Sequence, residues 1–144
     1  MDFAVFFDVG DTLASPVVEG GQLAGLEVYP FVPEVLARLR DENAALGLIS
    51  NTGNESAATL NAVFAGLLEL VDPELCLFSS IEGMDKSQPA FFKLAAQRAA
   101  LPAARCVYVG ENADERKTAA SVGFQVAFHP LHVLHLVAAE FAVL

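Results

Sequence analysis

Four short segments of the chain carry side chains that could do chemistry together. They are Asp8-Val9-Gly10-Asp11-Thr12-Leu13, Ser50-Asn51-Thr52-Gly53-Asn54, Lys86 ahead of Pro89, and Gly110-Glu111-Asn112-Ala113-Asp114-Glu115. A carboxylate such as Asp8 can attack phosphorus and form an acyl-phosphate, which splits one hard step into two. Attack by an anion on an anion needs positive charge nearby. Lys86 supplies one such charge and a Mg²⁺ ion would supply more. Mg²⁺ prefers oxygen ligands and usually takes one or two carboxylates plus substrate phosphate, so Asp8, Glu111 and Glu115 are the candidate ligands. Ser50 and the backbone amides after it, read as a helix N-terminus, could hold phosphate oxygens.

The elements that must position these groups alternate along the chain. Short, almost wholly apolar runs at Phe3–Phe7, 46–50, 75–78, Cys106–Val109 and 125–128 fit strands buried on both faces. Helical spacing of apolar residues falls between them, at 33–40, 56–70, 89–100, Ala113–Val122 and 131–143. Pro33 and Pro89 suit a first helical turn, where a missing N–H costs nothing. Strand–helix alternation predicts an α/β fold with a central, mainly parallel five-stranded sheet between two helical layers. Right-handed crossovers bring the C-terminal ends of the strands to one edge, where ligands bind. Each reactive segment follows a strand or precedes a helix at that edge. The stretch 14–29 breaks the alternation. Gly20-Gly21 between two apolar arms predicts a β-hairpin beside the end of the first strand.

The four segments resemble, in order, the four motifs of the haloacid dehalogenase (HAD) superfamily, and the resemblance covers nearly the whole chain. FFDVGDTL resembles the first motif, so Asp8 matches the nucleophile. LISNTGN resembles the second, with Ser50 at the phosphate-binding hydroxyl and Asn51 and Thr52 beside it. In KSQPAFFKLA, Lys86 matches the lysine that stabilises the phosphoryl group. VYVGENADERKTAASVGF resembles the fourth, with Glu111 and Glu115 at its two acidic positions. The resemblance implies a Rossmann-like core, Mg²⁺ dependence and, most often, phosphate monoester hydrolysis, with the 14–29 hairpin as the flap beside the nucleophile.

Two positions depart from the family pattern. The usual phosphatase has an Asp two residues after the nucleophile as general acid and base. Gly10 stands there instead, able to offer its backbone carbonyl to the metal but no proton to a leaving group. Such a group contributes about 10² to 10⁴ in rate. Haloacid dehalogenases also lack it. Both acids of the fourth motif are Glu rather than Asp, and Mg²⁺ tolerates little error in its octahedron. The segments between the first and second motifs and between the second and third are short. The chain is therefore expected to form one HAD-like core domain, 1–144, without the cap domain that many relatives carry.

Composition narrows the partners. The 144 residues carry 8 basic and 18 acidic side chains, for a net charge of −10. That balance repels a nucleic-acid backbone. No apolar run is long enough to cross a bilayer, and Asp2 stands where a leader would carry Lys or Arg. The expectation is a cytoplasmic protein with no membrane or nucleic-acid partner. Cys76 and Cys106 sit in apolar runs and read as small buried hydrophobes. His132 and His135 read as partly exposed helix residues, and Asp11 as a turn residue. The apolar tail ending in Phe141, Val143 and Leu144 reads as core packing, with a homo-oligomer contact as the lesser alternative.

The expected function is Mg²⁺-dependent hydrolysis of a phosphorylated small molecule or phosphoprotein. Asp8, Ser50 and Lys86 would be catalytic, Gly10, Asn51 and Thr52 would line the substrate, and Asp8, Gly10, Glu111 and Glu115 would hold the metal. The alternatives are a degenerate domain that binds a phosphorylated ligand or partner without turnover, and a 2-haloacid dehalogenase. A phosphorelay receiver ranks last.

Overall fold

The computed structural model describes residues 2–140. The strands are β1 Phe3–Phe7, β2 Ala14–Glu19, β3 Gln22–Val28, β4 Ala44–Ser50, β5 Cys76–Phe78, β6 Cys106–Val109 and β7 Gln125–Ala127. The helices are α1 Val32–Asp41, α2 Ala57–Val63, α3 Ala65–Leu68, α4 Ser79–Glu82, α5 Pro89–Ala99, α6 Ala113–Val122 and α7 Pro130–Glu140. Five strands form one parallel sheet in the order β5-β4-β1-β6-β7, and β2-β3 form a separate antiparallel hairpin.

The central strand explains the layering. Every residue of FAVFF is buried. Because side chains alternate across a strand, Phe3, Val5 and Phe7 enter one core with α1, α2 and α7. Ala4 and Phe6 enter the other with α5 and α6. Helices on both faces of a buried parallel sheet are the α/β, Rossmann-like architecture that the alternation predicts. Phe7 is in register with Leu48 of β4 and Val109 of β6. That register sets the residues after all three strands side by side at one edge.

The boundaries shift where local chemistry intervenes. β4 starts at Ala44 rather than 46, as Ala44 and Ala45 pair with Phe3 and Ala4. The expected helix 56–70 breaks at Phe64, whose ψ of 3° ends α2 before α3 begins. Pro73–Leu75 forms a 3-10 turn, so β5 begins at Cys76, and α4 follows it without a sequence forewarning. β7 ends at Ala127. The hairpin turns at Gly20 and Gly21, both at positive φ, 57° and 77°, which glycine adopts without a side-chain clash. Cys76 and Cys106 are both free thiols. Their burial pushes them up to about 12 and about 11, so they stay protonated. His132 and His135 are exposed on α7. The tail residues Phe141, Val143 and Leu144 lie outside the described residues. Among the described residues no helix is long and apolar enough to cross a membrane.

Candidate active site

Asp8 is the first residue beyond β1, and its N–H donates to the Val109 carbonyl at 2.8 Å. This bond ties the start of the loop to the neighbouring strand end. Asp11 sits in the left-handed region at φ 61°, and its N–H donates to Ala14 O at 2.9 Å. It is exposed and absent from the cavity wall that holds Asp8, which agrees with a turn role. Thr12 is buried, with Oγ1 3.5 Å from Asp8 Oδ2.

Lys86 lies on the loop between α4 and α5. Arg98, in the last turn of α5, grips Glu82 of α4 through two bonds of 2.9 and 2.5 Å, tying the end of α4 to the far end of α5 across from that loop. Inside the loop, the Asp85 carboxylate accepts from the hydroxyl and then the amide of Ser87, which lower its pKa from the ordinary value. Asn51 Oδ1 accepts from the Lys86 N–H at 3.0 Å. So guided, the lysine side chain runs into the fold until the residue is only 2% exposed. Its Nζ lies 2.6 Å from Asp8 Oδ1 and 3.0 Å from Glu115 Oε1.

A third partner escapes the sequence reading. The hydroxyl of Tyr108, on β6, lies 3.3 Å from Lys86 Nζ and donates to Glu115 Oε1 at 3.0 Å. Within a continuous apolar strand it reads as core. Its polar tip next to Gly110 is the available signal. A Cβ on Gly110 would stand 2.5 Å from the Tyr108 hydroxyl, so glycine is what admits the phenol there. Burial first, then the charges of Asp8 and Glu115, push the phenol pKa well up. Tyr108 is thus a neutral donor inside a charged cluster.

Glu115 is set by its helix. Asn112 caps α6, accepting from the Glu115 N–H at 3.0 Å, and Arg116 donates to Gly110 O at 2.8 Å. Glu111 is exposed and lines the same cavity. Ser50 is buried at the end of β4 and lines it too.

The structure corrects the reading of the loop after Ser50. No helix opens there, since α2 starts later, at Ala57, behind the N-cap Ser56. The Thr52 N–H donates to Ser79 Oγ at 2.7 Å, and its hydroxyl bonds Ser80 at 2.7 Å. Thr52 lines the cavity, yet its polar groups lock the loop onto α4 instead of facing a ligand unpaired.

Asp8, Gly10, Ser50, Asn51, Thr52, Lys86, Glu111 and Glu115 all line one cavity of about 390 Å³. Pro16, Leu23 and Leu26 from the hairpin, Phe64 and Glu55 complete much of its wall. Among the described lining residues one cation, Lys86, faces four carboxylates, those of Asp8, Glu55, Glu111 and Glu115.

The haloacid dehalogenase-like hydrolase family matches residues 19–123. The chain belongs to that family. The matched span begins after Asp8 and Gly10, so their place rests on the strand end and the Lys86 pairing. No curated protein is similar enough in sequence to be matched. Among solved structures, D,D-heptose 1.7-bisphosphate phosphatase from B. bronchiseptica, complexed with magnesium and phosphate, is similar with a TM-score of 0.74 at 16% identity, over 96% of this chain and 99% of that one. An uncharacterized protein from Corynebacterium glutamicum is similar over the full length of both chains, at TM-score 0.70 and 19% identity. An L-2-haloacid dehalogenase is similar over 71% of this chain and 44% of its own, at TM-score 0.60 and 27% identity. Neighbours of this fold thus include both a phosphatase and a dehalogenase.

Proposed function

We propose that this HAD-like hydrolase is a phosphate monoester phosphatase that works through an aspartyl-phosphate on Asp8. The observation that carries the reading is the Lys86 ammonium, buried and 2.6 Å from Asp8 Oδ1 in the lining of the cavity. The lysine fixes one oxygen of the carboxylate and lowers the repulsion that a phosphate would meet. Oδ2 keeps only the long Thr12 contact among the described residues. In the proposed step an Asp8 oxygen bonds to phosphorus, and the bond from phosphorus to the leaving-group oxygen breaks. Water then attacks the same phosphorus. The aspartyl oxygen departs, and phosphate and the Asp8 carboxylate are released. Ser50 and the Asn51 side-chain NH₂, both in the cavity wall, would donate to phosphate oxygens.

No group of three acidic, His or Cys residues among the described residues is close enough to hold a metal unaided. Lys86 and Tyr108 already engage Glu115 Oε1. What remains, Asp8, the Gly10 carbonyl, Glu111 and the rest of Glu115, fits a hard ion that takes one or two carboxylates and completes its shell with water and phosphate. Mg²⁺ held there would supply the positive charge that four carboxylates and a single lysine leave wanting.

Hydrolysis of an aryl phosphate with Mg²⁺, Mn²⁺ or EDTA, on the wild type and Asp8→Asn, tests the reading. Turnover that needs the metal and disappears in Asp8→Asn supports it. Absence of turnover with either metal argues for a domain that binds without catalysis.

Gly10 and the dehalogenase neighbour favour one second reading, release of halide from a 2-haloacid through an ester on Asp8. The two readings separate in ¹⁸O-water. In a single turnover a phosphatase sends the label to phosphate, whereas a dehalogenase, in which water attacks the ester carbonyl, sends it to Asp8.

A further inference from the structure

The hairpin is irregular at one place, and the irregularity shapes the cavity. Val17 pairs with Gly25 and Val18 with Leu23, so Ala24 is an extra residue on β3. In a regular strand Leu23 and Leu26 would point to opposite faces. The bulge resets the alternation, as bulges beside functional sites do, and both leucines line the cavity that holds Asp8. With Pro16 and the buried Phe64 they make one apolar wall. The charge on the rest of the lining is one-sided. Lys86 is the sole cation among the described lining residues, and Asp8 and Glu115 already engage it. A second anionic group on a substrate would find no second cation and would meet Glu55 and Glu111. Gly10 has no side chain from which a leaving group could take a proton.

From these three features we infer that the substrate is a monophosphate ester whose leaving group is apolar and carries no second charge, an aryl phosphate being the simplest case. The inference rests on the phosphatase reading and names its substrate class. The phosphoryl group sits at Asp8 and Lys86, and the apolar body lies against Leu23, Leu26, Pro16 and Phe64. An aryl oxygen leaves without a protein acid, which suits Gly10.

The test compares kcat/KM of the wild type, with Mg²⁺, for 1-naphthyl phosphate, phenyl phosphate and 4-carboxyphenyl phosphate. Their leaving groups are chemically similar, so the comparison reads the wall and the charge. We expect naphthyl above phenyl, and carboxyphenyl below phenyl by about tenfold or more. Leu26→Lys, which replaces apolar wall by a cation, should narrow or reverse the phenyl-to-carboxyphenyl ratio. The substrate comparison on the wild type stands even if that variant folds poorly. Hydrolysis of all three at equal kcat/KM, or a preference for the carboxylate, overturns the inference and leaves the phosphatase reading standing. Hydrolysis of none of them, or of any other phosphate ester, removes both.

Discussion

Lys86 Nζ and Asp8 Oδ1 lie 2.6 Å apart, although the residues are 78 positions apart in the chain. Nothing local to either residue creates this contact. It exists because β1 ends beside β4 and β6, and because Asn51, just beyond β4, accepts from the Lys86 N–H and holds the α4–α5 loop there. A lysine only 2% exposed is tolerable where carboxylates and a hydroxyl surround its charge.

Replacing that lysine should therefore harm the fold and the chemistry together. Lys86→Met leaves Asp8 and Glu115 as neighbouring carboxylates without the counter-charge they share. It should lower stability by about 1–3 kcal/mol, less than for a fully buried pair, since the two carboxylate side chains are 15% and 20% exposed. Phosphatase kcat should fall by about 100-fold or more. Adding Asp8→Asn should restore part of the stability and none of the rate. Urea unfolding and aryl phosphate assays check this, and an unchanged rate in Lys86→Met would contradict the assignment.

Tyr108 makes a prediction with a defined pH sign. Burial, with Asp8 and Glu115 nearby, raises the phenol pKa above its usual value of about 10. Burial raises the Cys76 and Cys106 thiols above 9.0, to about 12 and about 11. All three therefore stay protonated in the folded chain while the unfolded chain releases their protons. The unfolded state binds fewer protons above pH 9, so stability is full below that value and falls as pH rises through 9 to 11. Tyr108→Phe should cost about 1–2 kcal/mol at neutral pH and flatten the fall above pH 10. Unfolding midpoints measured across that range decide it, and parallel curves for variant and wild type would count against the buried phenol.

Two glycines should fail differently. Gly110→Ala places a methyl group 2.5 Å from the Tyr108 hydroxyl. It should cost about 1–3 kcal/mol and reduce activity by displacing the Tyr108–Glu115–Lys86 cluster. Gly47→Ala, on β4, strikes the Leu75 carbonyl and the Phe6 ring, a backbone atom that cannot swing aside. Its larger loss should fall on stability. Thermal melts beside kcat would show the contrast, and equal kcat losses at matched stability would remove it.

Asp11 supplies a negative control. Held at φ 61° and exposed, it is a turn residue in this account. Asp11→Asn should keep kcat within about threefold of wild type, whereas a lost general acid would cost about 10² to 10⁴. A drop of that larger size at constant fold would make Asp11 the missing acid after all.

The sheet was legible because its strands are continuous apolar runs, and FAVFF announces a strand buried on both faces. The positions of Asp8, Ser50, Lys86 and Glu115 followed from strand ends plus the motif resemblance. What could not be read depends on contacts between distant segments. The break at Phe64 leaves the helical spacing on either side intact. Thr52 reads as a phosphate contact until Ser79 and Ser80 arrive from β5's far end to engage it. Tyr108 reads as core because only the folded cluster reveals where its hydroxyl points. The bulge at Ala24 reflects pairing, which composition does not encode.

The most direct test of the account is to acid-quench the enzyme during turnover of an aryl phosphate with Mg²⁺ and map phosphorylation by peptide mass spectrometry. One phosphoryl group is expected on the peptide that contains Asp8, lost on treatment with hydroxylamine and absent from Asp8→Asn. Steady release of phosphate with no phosphoryl group on that peptide, and an Asp8→Asn variant that still turns over, would contradict it.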